Sequence, residues 1–486
     1  MIIMSIYFLL FTPLLVSFFL FLAPLPRRAF EALATVAGLI ELGAALRIAF
    51  VDHSGGSLFA GMLSYDALAA WFVMIIAILG MLALFFSVSY LRRESAAHGT
   101  ALSKDRQYFA LFHLFLFTMF VAAGANNVLL LWIAVEATTL TSAFLVNFFD
   151  RAAAIEAAWK YMIINTVALL LGLFGVFLFI GAVEQAELSF ALDWASIALA
   201  APLLDVMLIK IAFVFMVIGY GTKAGLAPLH NWLPDAHSQA PSPVSALLSG
   251  ALLNIALLAL LRFKAIVDVT AGPGFSQTIL VAFGVISIVV ASALILTQKH
   301  YKRLLAYSSV EHMGIIALGF ALGGVAAVAA LLHALYHSLA KAMLFLSSGN
   351  ILLRYQVTEI HKVKGLLRTL PFTGFFFFAG LLAVAGVPPF GTFLTEFAIF
   401  STLFAIHPYL TVIALLALAV AFVGIMRHVS ATCFGESEAG CKQGEDDRLA
   451  VLPIAVLFLL LLTLSLYRPD ALLSLLDQAT HNLVAL

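Results

Sequence analysis

Charge is scarce in this sequence. Asp, Glu, Lys and Arg together make up 10% of its 486 residues, where a soluble domain carries about a quarter. Hydrophobic residues reach 64% and the mean hydropathy is +1.11. A water-soluble core of this length does not bury that much apolar side chain, so lipid must act as the solvent. Acidic and basic residues balance at 25 each, which gives no sign of a face for nucleic acid. Cysteine is nearly absent. Cys433 and Cys441 share one polar loop, too few for a disulfide framework or an iron–sulfur cluster. No haem attachment site and no Rossmann or Walker signature follows a strand. No catalytic, cofactor-binding or metal-binding set is therefore expected in this chain. Met1 to Leu25 lacks a basic start and a small-residue cleavage site, and reads as a first crossing instead of a removed signal.

What is present is a series of apolar runs near or above the roughly 20-residue spanning length. They fall at 2–25, 29–51, 66–91, 107–124, 127–149, 157–183, 205–232, 242–263, 275–298, 303–322, 325–353, 371–404, 409–431 and 449–467. The expectation is an all-α integral membrane protein of about 14 transmembrane helices. Gly124, Asn126 and Asn127 place a turn inside one uncharged stretch, Gly323–Gly324 divides another, and His407–Pro408 ends the run after Glu396. Basic residues test the count. Seventeen of the 25 fall in loops on one side, including Arg92, Arg93, Arg151, Lys299, Lys302, Arg303 and Arg354, while Arg47, Arg262, Lys264 and Arg468 lie opposite. The positive-inside rule makes the rich side cytoplasmic and puts both termini outside. The longest loops, 184–204 and 432–448, leave no room for a large soluble domain.

Ionisable side chains at bilayer depth cost roughly 2.5–3.5 kcal/mol each on insertion scales and are functional candidates by default. Glu136, in WIAVEATTL, lies about ten residues into the fifth span, and the bland alternative is a carboxyl bonded to Thr138 or Thr139 for packing. Lys223, in GYGTKAGLAPLHNWLPDAH, stands five residues before Pro228 in the seventh span. A proline there breaks the helix, and broken helices at membrane depth line polar cavities. His230, Asp235 and His237 follow towards the cytoplasm, where Asp235 and His237 are equally well read as loop residues. In the eleventh span His333, His337 and Lys341 recur at i, i+4, i+8, on one helical face. This stripe resembles a proton relay more than core packing. It is not a metal site, because no carboxylate or cysteine shares it. Glu396 follows the Pro388–Pro389 break in the twelfth span as a candidate proton acceptor; its alternative is a capping carboxylate at a helix restart. Lys160, Glu311 and His312 are weaker members, each within two turns of a cytoplasmic helix end where snorkelling to the interface accounts for them.

The seventh and twelfth spans are both proline-broken, each with a buried charge near the break, and the sixth and eleventh each carry a lysine. The offset is five helices. Five is odd, so the copies have opposite topologies, which predicts two inverted five-helix repeats, helices 4–8 and 9–13. The domain plan is then 1–99 (helices 1–3), 100–265 (first repeat), 266–434 (second repeat) and 435–486 (cytoplasmic loop and helix 14).

These motifs carry a resemblance. Over about 100–430 the chain is similar to the antiporter-like membrane subunits of complex I, of Mrp-type sodium/proton antiporters and of membrane-bound group 4 hydrogenases. GLAPLHNWLPDAHSQAPSPVSALLSG is the most specific block, and WIAVEATTL, LLAYSSVEHMG and LYHSLAKAMLFLSSGN most resemble the hydrogenase-4 component F branch. The resemblance implies a proton-translocating subunit of a redox-driven complex in the bacterial inner membrane. Its partners would be other membrane subunits and a peripheral redox arm, with iron–sulfur clusters and nickel–iron or flavin centres in those partners. It further implies that Glu136 modulates the broken-helix lysine Lys223, that Lys341 is the central lysine connected by His333 and His337, and that Glu396 is terminal. Relatives of the complex I type often place a lysine where this chain has Asn254, so water or His230 would have to bridge from Lys223. The transported ion is expected to be the proton, with sodium as the alternative. A cation/proton antiporter subunit or a proton-driven uptake subunit would use the same residues. A static scaffold would need none of them.

Overall fold

The computed structural model describes residues 2–51, 57–186, 192–436 and 443–484. Cys441 and Lys442 of the polar loop lie outside the described residues, and Cys433 is buried. Apart from a two-residue hairpin (β1, Ser57–Leu58; β2, Leu63–Ser64), the regular structure is helical. The first six helices are α1 (Ile2–Leu22), α2 (Arg27–Phe50), α3 (Ala67–His98), α4 (Leu102–Gly124), α5 (Val128–Val146) and α6 (Ala152–Gln185). A short α7 (Trp194–Ala200) leads into α8 (Val206–Lys223) and α9 (Trp232–Gln239), which together form the broken seventh span. Next come α10 (Ser242–Leu247), continuous through a π-helical turn with α11 (Leu253–Ala271), then α12 (Pro273–Thr297), α13 (Tyr301–Leu322) and α14 (Gly324–Tyr355). After the short α15 (Leu366–Thr369), α16 (Pro371–Val384) and α17 (Gly391–Ile406) form the broken twelfth span, followed by α18 (Pro408–Cys433), α19 (Arg448–Leu466) and α20 (Asp470–Val484).

Thirteen described segments are long and apolar enough to cross a bilayer, and the α16–α17 tandem adds the remaining crossing. The boundaries follow local chemistry. Asp66 caps α3 by accepting from the Ala69 amide at 2.8 Å, Asn127 caps α5, and Asp205 caps α8 through the Leu208 amide at 2.6 Å. Helix α20 was not anticipated. It places Leu472, Leu475, Leu476 and Ala479 on one buried face, the amphipathic i, i+3, i+4, i+7 pattern that an average-hydropathy criterion passes over.

The two breaks share one backbone solution. At the first, the Leu226 amide donates to Gly221 O (2.9 Å) and the Gly225 amide to Thr222 O (3.0 Å). At the second, Val387 donates to Leu382 O (3.1 Å) and Gly386 to Ala383 O (3.2 Å). Both are Schellman closures around a left-handed glycine, with φ of +77° at Gly225 and +64° at Gly386.

The central stretches of Ser242–Ala271 and of α13 are buried and that of α14 nearly so, whereas α6, α18 and α19 turn more of their apolar surface outwards. The centre of the bundle is therefore the part that carries the polar side chains. One end of the bundle is laced by ion pairs: Arg151 to Glu94 (2.6 Å), Arg93 to Asp446 (2.9 Å), Arg354 to Asp446 (2.7 Å), Arg303 to Asp235 (2.5 Å), and Arg27 to Asp105. These join loops that the sequence places on the basic-rich side. At the other end Arg262 grips Asp66 with two bonds of 2.6 and 2.7 Å.

Candidate functional site

Lys223 is the last residue of α8, where the Schellman closure ends the helix and leaves its side chain inside the bundle. Its ammonium is fully buried and donates to Thr139 Oγ1 (2.8 Å) and to the Tyr161 hydroxyl (2.7 Å), over whose ring it also sits. Tyr161 is held from two sides, by Ser142 Oγ at 2.6 Å and by the Trp232 ring. Glu136, one turn before Thr139 on α5, accepts from Thr166 Oγ1 (2.7 Å) and from Thr139 Oγ1 (3.4 Å). The expected Glu136–Lys223 pairing is therefore indirect, with the Thr139 hydroxyl between the two charges.

Lys341, in mid-α14, is also fully buried. It donates to Leu305 O (2.6 Å) and to Ser308 Oγ of α13. One and two turns back along the same face lie His337 and His333, as their spacing predicts. His312 of α13 enters between them. Its Nδ1 is 2.8 Å from His333 Nε2, its Nε2 is 3.0 Å from Val384 O, and its ring lies 5.1 Å from that of His337. His333 Nδ1 continues to Thr395 Oγ1 at 2.8 Å, which is the residue before Glu396. Snorkelling does not account for Glu311 and His312. Both are buried, because the middle of α13 is enclosed by neighbouring helices. A cavity of about 30 Å³ touches Glu311, His312 and Glu396, large enough for a water molecule. Glu396 then opens onto a larger cavity of 470 Å³ with Ser401 and Thr411 on its wall. The histidine stripe has no carboxylate on α14 itself, but Glu396 and His312 come to it from other helices, so that single ligand atoms of His312, His333 and Glu396 lie within 4.8 Å of one another, contrary to the expectation that no metal-binding set forms here.

Smaller polar groups join the α10–α11 segment to α14. Asn254 donates to Gly250 O and Ser338 Oγ, both at 2.9 Å, and Ser338 donates to the same carbonyl at 2.6 Å. Gly250 is in the π-helical turn Leu248–Leu252, whose wider winding frees carbonyls for such cross-helix bonds. His237 is not a loop residue. It is fully buried on α9, and both ring nitrogens lack a hydrogen-bond partner. His230 is buried in the break with its ring edge-on to Tyr307, and it makes no hydrogen bond to Lys223. Lys160 and Asp235 lie apart from the file. Lys160 pairs with Glu156 (2.5 Å) and Asp235 (3.5 Å), and Asp235 with Arg303, all at the bundle end. A buried pair that the sequence reading passed over joins Glu41 of α2 to His113 of α4 at 2.8 Å. Its two residues lie 72 positions apart and share no motif, so only the packing of α2 on α4 reveals it.

Residues 125–421 match the family described as NADH:quinone oxidoreductase/Mrp antiporter, TM. The chain belongs to this family. That span runs from the turn before α5 to α18, so it covers both helix breaks and the whole polar file. Among relatives of the NADH:quinone oxidoreductase/Mrp antiporter family, the hydrogenase-4 component F homolog of Methylacidiphilum infernorum (isolate V4) is 35% identical over 440 residues, 90% of this chain and 91% of that one. The NADH-quinone oxidoreductase subunit N of Desulforudis audaxviator is 33% identical over 330 residues, 67% of this chain and 63% of that one. A chain of the archaeal membrane-bound sulfane sulfur reductase has the same fold, with a TM-score of 0.86 at 24% identity over 99% of this chain and 97% of that one. The chain is a multi-pass membrane protein, and its relatives are subunits of multi-subunit membrane complexes.

Proposed function

We propose that this chain is the proton-translocating membrane subunit of a redox-driven complex of the group 4 hydrogenase or NADH:quinone oxidoreductase kind. The observation that carries the reading is the set of polar groups inside the apolar bundle: Lys223, Asn254, Ser338, Lys341, His337, His312 and His333 are buried, with the half-buried carboxylates Glu136 beside Lys223 and Glu396 beside the histidines. Isolated charges in an apolar bundle would each bear their full desolvation cost. Here each lysine has two acceptors, and His312 is bonded to His333 with its ring 5.1 Å from that of His337.

The geometry suits stepwise proton transfer. Thr139 and Tyr161 each offer a hydroxyl that accepts from Lys223 and can rotate to pass a proton on. A charge change at Glu136 reaches Lys223 through one hydroxyl, so a neighbouring subunit that alters Glu136 biases where the Lys223 proton goes. At the far end a proton on His312 has two neighbours, His333 and the small cavity that leads to Glu396. The redox step takes place in partner subunits that carry iron–sulfur clusters and nickel–iron or flavin centres. The matched Schellman breaks support two inverted repeats, 100–265 and 266–434, each supplying one half-channel. The lacing of basic loops at one end supports that end as cytoplasmic, in a bacterial inner membrane with both termini outside.

Substitution Lys223→Ala tests the reading in vesicles that contain the whole complex. Electron transfer should continue with proton uptake lost or strongly reduced. Wild-type pumping per electron in Lys223→Ala would end it.

A further inference from the structure

A second polar cavity lies outside the buried file, at the end of the bundle laced by ion pairs. It has a volume of about 540 Å³ and is walled by the α9–α10 junction, the α12–α13 junction, the start of α6 and the end of α14. Its lining includes Arg151, Lys299, Lys302 and Arg303 and contains no carboxylate. Two of these cations are answered from behind, Arg151 by Glu94 at 2.6 Å and Arg303 by Asp235 at 2.5 Å. Lys302 is different. It is 1% exposed, and its ammonium donates to Ala240 O at 2.7 Å with no carboxylate bonded to it. Lys299, exposed at the rim, adds a fourth charge. The carboxylate that acts on Lys302 electrostatically, Glu94, is already bonded to Arg151, and a buried ammonium without a carboxylate of its own is a costly arrangement unless an anion supplies one. The excess over the two answered arginines is two positive charges, contributed by Lys299 and Lys302.

We propose that this cavity is a binding site for a phosphate-bearing anion, with Lys302 as its buried anchor and Lys299 as its rim contact. A phosphoryl group carries between one and two negative charges near neutral pH and three acceptor oxygens, which matches two free ammonium groups and the Arg151 and Arg303 donors beside them. The polar wall (Ser238, Gln239, Thr297, Thr358) fits a headgroup or a free ion and not an acyl chain. Lys302 also acts electrostatically on His237, as Lys341 does, so an anion in the cavity changes the field at the edge of the proton file. The site itself stands on its own charge and shape and does not depend on the proton reading.

The test uses the purified complex in nanodiscs of zwitterionic lipid. Inorganic phosphate is titrated at fixed ionic strength against chloride, and the melting temperature and heat of binding are read. The expected result is a saturable rise in melting temperature with phosphate only. Lys299→Gln and Lys302→Met should each weaken phosphate binding about tenfold, one charge-assisted contact each, while Lys299→Arg retains it. Lys299→Gln lies at an exposed position and remains informative if Lys302→Met does not fold. A response equal to that of chloride, or one unchanged in Lys299→Gln, would overturn the proposal. Repeating the titration in anionic-lipid nanodiscs assigns the source. Loss of the phosphate response identifies a lipid headgroup as the occupant in the bilayer, and an unchanged response identifies soluble phosphate.

Discussion

Replacing Thr139 by valine keeps the volume of the side chain and removes one hydroxyl. That hydroxyl is one of two acceptors for the buried Lys223 ammonium, at 2.8 Å, and it is also the link to Glu136, at 3.4 Å. The short bond to a charged donor is worth about 1.5–3 kcal/mol, and the longer one adds little. The balance between proton positions on the Glu136 side and the Lys223 side should therefore shift by roughly 10- to 150-fold. Redox-driven acidification of proteoliposomes containing the complex should fall at least tenfold per electron. Thr139→Ser keeps the hydroxyl and should pump. Thr138→Val is the control next door, because the Thr138 hydroxyl donates to Val135 O at 2.6 Å and touches neither charge. Wild-type pumping in Thr139→Val, or an equal loss in Thr138→Val, would refute the reasoning.

Gly386→Ala drives a methyl carbon into Glu396 Oε2 at a left-handed φ of +64°, so Glu396 must move. Proton release should drop sharply while the complex, checked by native gel, still assembles. His312→Phe fills the same space but breaks the contacts to His333 and Val384 O, and should lower pumping about as much as His333→Phe, with the double variant no worse than either single one. At the Arg262–Asp66 clamp, burial pushes the Asp66 carboxyl up, but the charge and hydrogen bonds of Arg262 and the Ala69 amide outweigh it and hold the group below its ordinary 3.8. Its contribution to stability is thus complete above the unfolded value, about 3.9, and is lost as pH falls through the lowered folded value. Melting scans from pH 6 down to 3 should show a steeper loss for wild type than for Asp66→Asn.

The helix count was legible because it depends on run length and on the distribution of arginine and lysine, both local quantities. The two breaks were legible from Gly225–Pro228 and Gly386–Pro389. Of the site, the i, i+4, i+8 stripe on α14 was readable, since its period is fixed by the helix. What a single helix cannot show is which residue of another helix faces it. Thr139 and Tyr161 around Lys223, and His312 between His333 and His337, are set by the packing of α5, α6 and α13. The hydropathy run placed Glu311 and His312 near a helix end, but the same run cannot show that α13 is enclosed by neighbours. His237 was equally readable as a loop residue because the break hides the helical restart at Trp232. Tyr161 sits beside Lys160 in sequence, and it is Tyr161 that turns inwards while Lys160 pairs at the surface.

Under the proposed function Lys341 is the central proton carrier of α14, buried and held by Leu305 O and Ser308. The number of protons moved per electron should therefore be measured for Lys341→Met in the intact complex, with electron transfer followed in the same vesicles. The account expects that ratio to fall while electron flow persists. An unchanged ratio would mean that protons cross by some other route.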